Sequence, residues 1–208
     1  MVDTVNESLA RSPETDASLQ MRLVEVALDH LRMAPVEQLS LRQVAQDLGV
    51  SHQAPYVHFG SKRRFLAAVA GIGLDRAAAQ AEARIAAAGT SPLARLDALA
   101  TAYAAWVRDD PHVHDLDHVL RIDKSEHPWL QAAATRYWDL LYNTVAACQP
   151  PGVGEPDVLR RCIIAWGVVY GIARLAALDQ VPGAVPGDAE EHIRQALAAL
   201  YTGWQVGT

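Results

Sequence analysis

Two stretches of the chain concentrate side chains that could do chemistry. One is LGVSHQAPYVHFGSKRRF, Leu48 to Phe65, which gathers His52, Gln53, Tyr56, His58, Lys62, Arg63 and Arg64. The other is HVHDLDH, where His114 and His118 stand four apart, the spacing that places two imidazoles on one helix face in metal sites. His112, Asp115, Asp117 and His127 lie near them. No thiol joins this second group, so a polar surface turn near a helix start is favoured over a metal site. Neither stretch supplies enzyme machinery. No Ser-His-Asp constellation, glycine-rich phosphate loop or convergent carboxylate pair is legible. A chain without catalytic activity and without a cofactor is expected.

Charge separates the two stretches. The chain carries a net charge of −6, which argues against binding polyanions over its whole surface. Residues 22–64 run the other way: Arg22, Arg32, Arg42, Lys62, Arg63 and Arg64 face only Glu25, Asp29, Glu37 and Asp47. An anionic partner should therefore meet this segment. Cys148 and Cys162 make neither a disulfide framework nor a metal quartet. The N-terminus is polar and acidic, unlike a signal peptide. The most apolar segment, Cys162 to Leu178, is short for a membrane span and contains Arg174. A soluble cytoplasmic protein is expected, with no membrane partner.

The elements that position these residues read as helices throughout, since alanine is abundant and strand-favouring runs are nearly absent. Residues 1–15 read as a flexible tail. Leu19, Leu23, Val26, Ala27, His30 and Leu31 form a first helical stripe. Ser40 with Gln43 has the form of a capping box, opening a short helix from about Leu41 to Leu48 that Gly49 ends. Ser51 can cap a third short helix, and Ser61 a long fourth one reaching about Ala87. Ser91-Pro92 starts a fifth and Asp110-Pro111 ends it. Further helices are predicted over 112–122, from Pro128 to the Pro150-Pro151-Gly152 break, over 156–179, and after Asp188. The fold class is all-α: an N-terminal three-helix bundle with a helix-turn-helix, and a long fourth helix leading to a C-terminal helical ligand-binding and dimerisation domain. The expected boundaries are 16–65 for the first domain and 66–208 for the second.

Two short helices joined by a glycine turn make a helix-turn-helix, in which Ala45 permits a close crossing and Val50 plugs the angle. The helix after such a turn ordinarily lies in the DNA major groove. Its first residues here are Ser51, His52, Gln53 and Ala54. Gln53 can pair bidentately with adenine, His52 can bond a base edge, and the Ala54 methyl can touch a thymine methyl. Lys62 sits at a helix start, where an anion is favoured. The whole stretch from Leu39 to Ala70 resembles the DNA-binding segment of the TetR (tetracycline-repressor-like) family. The resemblance is carried by Val44, Ala45, Gly49, Val50, Ser51, Tyr56, His58, Phe59 and Lys62. It implies an all-helical homodimer that binds double-stranded operator DNA and a small-molecule inducer. By position it places Arg42, His52, Gln53 and Ala54 at bases, and Tyr56, His58 and Lys62 at or near phosphates. For His58, packing that positions Phe59 is an equal alternative. The chain departs from the pattern at Pro55, where leucine is common, and at Arg63-Arg64, where acids are common. Were Ser51 the cap, Pro55 would forfeit the first ladder bond, so the helix starts one residue later or Ser51 bonds elsewhere.

In the C-terminal half, Trp166-Gly-Val-Val-Tyr170-Gly171 is similar to the ligand-domain pattern of a TetR subgroup with a Trp…His-Gly signature, with Tyr170 in place of the histidine. Tyr103, Trp106, Trp138, Tyr142, Trp166 and Tyr170 come from three helices; singly they read as core, collectively as a ligand pocket. Arg174 can pair with an acidic ligand, with Asp139 or with Asp179. The last two helices offer a homodimer seam: one is apolar nearly all round, Gly167 and Gly171 allow close approach, and the other carries a stripe from Ile193 to Trp204. The leading function is a ligand-responsive repressor released from operator DNA by its inducer. A helical small-molecule-binding enzyme and an interaction adaptor with a vestigial DNA-binding head are the alternatives.

Overall fold

The computed structural model of the chain describes residues 13–116 and 122–206. Among the described residues there are nine α-helices and no strand. They are α1 (Pro13–Met33), α2 (Leu41–Asp47), α3 (Ala54–Phe59), α4 (Lys62–Ala87), α5 (Pro92–Asp109), α6 (Pro111–His114), α7 (Pro128–Ala147), α8 (Glu155–Ala177) and α9 (Ala189–Val206), with 3₁₀ turns at Val36–Gln38 and Lys124–Glu126. The chain is all-α, as its composition indicates. α1 begins inside the stretch expected to be a tail. The rest of that stretch lies outside the described residues, as do Asp117 and His118 of the second histidine stretch.

The helix starts follow from their caps. The hydroxyls of Ser40, Ser61 and Ser91 accept the backbone N–H groups of Gln43, Arg64 and Ala94 at 3.4, 3.2 and 3.4 Å. Each satisfies a donor that the first helical turn leaves orphaned, worth about 1 kcal/mol. The first box is only half made. Gln43 turns its amide to Asp47 at 2.6 Å instead of reaching back. α2 ends in a full Schellman motif: Gly49 adopts φ +71°, its N–H reaches the Gln46 carbonyl, and the Val50 N–H reaches that of Ala45, both at 2.9 Å.

The long helix α4 is the spine. It packs against α1 and α3 near its start and against α5, α6 and α7 beyond. Two glycines permit this. A Cβ at Gly73 would stand 2.4 Å from a Val113 methyl of α6, and one at Gly71 would stand 2.9 Å from the Trp129 ring of α7. Gly71 and Gly73 are thus places where other helices press onto the spine. Leu23, Leu31, Val44 and Phe65 of the N-terminal helices share one buried cluster with Val113, Leu116 and Leu130. A second cluster joins α5, α7, α8 and α9 around Leu96, Val145, Cys162 and Leu197. On the surface, Arg136 of α7 forks onto Glu82 of α4 at 2.8 and 2.6 Å, holding that carboxyl below its usual range.

Candidate DNA-reading head and ligand cavity

The turn before α3 settles where Pro55 belongs. Ser51 does not cap the helix: its hydroxyl accepts the Gln53 N–H at 3.3 Å and its carbonyl accepts the Ala54 N–H at 2.8 Å. α3 therefore begins at Ala54, two residues later than a Ser51 cap would give, with Gln53 at the N-cap. Pro55 falls in the first turn, where a backbone N–H has no helical partner, so its missing donor costs no bond. Phe59 locks the far end edge-to-face on Phe65, with centroids 4.9 Å apart.

The late start changes which side chains look outward. Arg42, Ser51, His52 and Gln53 are exposed, as are Tyr56 and Lys62. Ala54 is only 8 % exposed and faces the core, whereas Val57 is 73 % exposed. Gln53, Tyr56 and Val57 stand at i, i+3 and i+4, on one helical face. Lys62 also has an internal role, donating from Nζ to the Leu39 carbonyl at 2.9 Å. It thereby ties the α4 start to the approach of α2. The Nε2 of His58 is buried without a partner in the structure, a placement that matches the packing role. His30 of α1 meets the Asp47 carboxylate at 2.7 Å, and with Gln43 it holds that carboxyl below its usual range, Gln43 having the larger effect.

Behind the head, α4, α5, α7 and α8, with Val113, His114, Lys124 and Leu197, line a partly open cavity of about 190 Å³. Ala70 and Leu74 of α4 form part of its wall. Tyr103, Trp106, Trp138 and Trp166 line it, as do Tyr137, His114 and Lys124. The rings interlock: Tyr103 lies edge-on to Trp106 at 6.0 Å, and Trp138 to Trp166 at 6.5 Å. His114 is buried, not a surface residue. Its Nδ1 meets Asp115 at 2.9 Å and its Nε2 meets the Tyr103 hydroxyl at 2.8 Å. A carboxylate only accepts, so the Nδ1–H donates to Asp115, which leaves Nε2 of the uncharged tautomer to accept the Tyr103 O–H. Arg174 of α8 completes the chain on the two Asp115 oxygens at 3.0 and 2.9 Å. The Tyr137 hydroxyl is buried with no hydrogen-bond partner, and burial raises its pKa, so it stays a phenol.

Residues 96–200 match the family described as tetracyclin repressor-like, C-terminal domain. That is half of the chain. It belongs to the TetR family. The TetR assignment agrees with solved structures. A protein of unknown function from Rhodococcus sp. RHA1 is 28% identical, with a TM-score of 0.76 over 95% of this chain and 98% of that one. PfmR, a TetR family transcriptional regulator from Thermus thermophilus, is 21% identical, with a TM-score of 0.60 over 87% and 97%. A TetR transcriptional regulator from Rhodococcus sp. RHA1 is 16% identical, with a TM-score of 0.61 over 91% and 97%. A search of curated protein sequences finds no match.

Within this TetR fold, the structure gathers four of the six expected pocket aromatics and leaves two aside. On α7 the cavity takes Ala134, Tyr137, Trp138 and Leu141; Tyr142, one turn on from Trp138 and about 40° further round, packs against the second core cluster without lining the cavity. On α8 it takes Ala165, Trp166 and Val169; Tyr170 again lies one turn on from Trp166, its ring 6.1 Å from His114. Tyr137 and His114 were missed as pocket residues. The i+3/i+4 spacing from Ala134 could have flagged Tyr137; nothing local marks His114. Arg174 pairs with Asp115, not with Asp139 or Asp179. Asp179 adopts a left-handed conformation just after α8. Among the described residues no group of acids, histidines or cysteines could hold a metal, and no helix is long and apolar enough to cross a membrane. Both cysteines are buried, and burial pushes each thiol up to about 11.

Proposed function

We propose that the chain is a sequence-specific transcriptional regulator that binds operator DNA as a homodimer and releases it when a small molecule fills the cavity. One observation carries this reading: α4 presents Lys62 beside the recognition helix at one end and walls the aromatic cavity with Ala70 and Leu74 further along. Ligand and DNA then act on the same helix. Release requires that they favour different states, with a coupling of about 1–3 kcal/mol.

On the DNA side, Gln53 reads adenine and His52 a neighbouring base edge, while Val57, in place of buried Ala54, meets a thymine methyl. Arg42 meets a base edge as well, and Tyr56 and Lys62 hold phosphates. The partner copy covers α8, whose outer side leaves Ile163, Ile164, Leu175 and Leu178 exposed, with open space above Gly167 and Gly171. A soluble protein in the cytoplasm, repressing until its ligand arrives, fits this role.

Selection of bound DNA from a random library tests the reading. The expected product is a palindrome with half-sites about 10 base pairs apart, or a multiple. Gln53→Ala should relax preference at one base position by roughly 10-fold or more, whereas Lys62→Ala should weaken every sequence and flatten the salt dependence. No enrichment from the library, or indistinguishable profiles for the two variants, would contradict it.

A further inference from the structure

We propose that the cavity selects an uncharged aromatic molecule of one or two rings that carries a single hydrogen-bonding atom, received by the Tyr137 hydroxyl. The assignment rests on the cavity being the ligand site of the reading above. Size comes first. An apolar protein cavity of about 150 Å³ accepts benzene, so about 190 Å³ admits one substituted ring or a small fused pair. The shape agrees, since Trp106, Trp138 and Trp166 offer flat faces and edges to a planar guest.

Charge is the sharper criterion. No Asp or Glu stands on the described wall, so a cationic guest would lose its hydration with no carboxylate in exchange. An anion fares no better. His114 turns its N–H to Asp115, whose charge Arg174 balances, and Lys124 is itself engaged. His114, Asp115 and Arg174 are thus committed to one another. Tyr137 is different: its ring is part of the wall and its hydroxyl, buried, has no partner. A guest carrying a carbonyl or ether oxygen gives that O–H the partner it lacks, and an apolar guest of the same shape does not.

Titration calorimetry on the full chain with four probes of one size separates these outcomes: acetophenone, cumene, benzoate and phenyltrimethylammonium. Acetophenone should bind best, about 10-fold tighter than either ion and roughly 5-fold tighter than cumene. In Tyr137→Phe the preference for acetophenone over cumene should vanish, while cumene binds as before, which also shows that the variant folds. An ion binding as tightly as acetophenone, a preference that survives Tyr137→Phe, or no binding of any probe would each overturn the assignment. Operator affinity measured on the same samples keeps the two readings apart. Operator binding without probe binding removes the ligand class alone, whereas probe binding that leaves operator affinity unchanged removes the regulatory coupling alone.

Discussion

The reading head and the cavity are made of the same kind of helix but dispose of their polar atoms in opposite ways. In the head, Gln53, His52, Tyr56 and Arg42 point to solvent, while caps, the Phe59–Phe65 contact, the Lys62–Leu39 and His30–Asp47 bonds and the buried cluster beneath hold the elements that carry them. In the cavity, Tyr103, His114, Asp115 and Arg174 are bonded in series across three helices and the Asp115 turn. A surface that must meet a hydrated, flexible polyanion gains from donors left unpaired until contact. A pocket that must discriminate by desolvation gains from having its polar atoms satisfied beforehand, because an unpaired one in low dielectric is costly, and the buried Tyr137 hydroxyl is an exception that a guest can pair. The polar atoms of the body are thus bonded internally, whereas the side chains the head would offer to DNA stand exposed.

The largest test of that contrast is His114→Ala. It removes the imidazole that the Tyr103 hydroxyl meets and opens a void beside Trp106, so unfolding free energy should fall by about 3 kcal/mol. Adding Tyr103→Phe to this background should cost much less than it does alone, since the shared bond is already gone. A loss in chemical denaturation below about 0.5 kcal/mol would mean that the series is ornamental. Gly73→Ala comes next. Its new Cβ collides with Val113, which should cost about 2 kcal/mol despite the better helix propensity of alanine. Val113→Ala should recover most of this in the double variant, and absence of recovery would locate the strain elsewhere.

The same contrast explains what the sequence disclosed. The head was legible because its determinants are contiguous: Ser40, Gly49, Ser61 and the aromatic pair Phe59–Phe65 act within a few turns of one another. Its one obscure point was Pro55, because a turn built from Ser51 is not distinguishable in sequence from a Ser51 cap. Two residues of register followed from that, and with them the exchange of Ala54 for Val57 on the outer face. The cavity was legible only by type. Aromatics spaced along three helices signalled a pocket, but which ones line it depends on helix rotation to within about 40° and on depth along the helix. Tyr142 and Tyr170, each one turn on from the lining residues Trp138 and Trp166, are not in the lining. His114 could not be assigned without the fold, since its partner Tyr103 lies 11 positions away and the Arg174 that holds its neighbour Asp115 lies 59 from that aspartate.

A smaller effect is expected at Val57. Trimming it to alanine should leave thermal stability unchanged and weaken operator binding about fivefold, the worth of a lost methyl contact. Replacing the facing thymine by uracil should cost the wild type the same amount and the variant nothing. A full loss in both proteins would show that the methyl is read by another residue.

The smallest effect concerns the link that holds α2 to α1. Asp47 is held below the usual carboxylate range, first by the Gln43 amide and then by His30, so the folded state favours its charged form. A depressed carboxyl contributes stability that is complete above its unfolded pKa and is lost as pH falls through the lowered folded value. Asp47→Asn should therefore lower the melting temperature slightly near neutral pH, and the difference should shrink on acidification until the two proteins coincide. Because the pair is solvent-exposed, salt should shrink it as well. The series around His114 is shielded from solvent, and its contribution should persist at the same ionic strength. If instead added salt erased the His114 effect and spared the Asp47 effect, the division between a lightly held head and a firmly bonded body would be reversed.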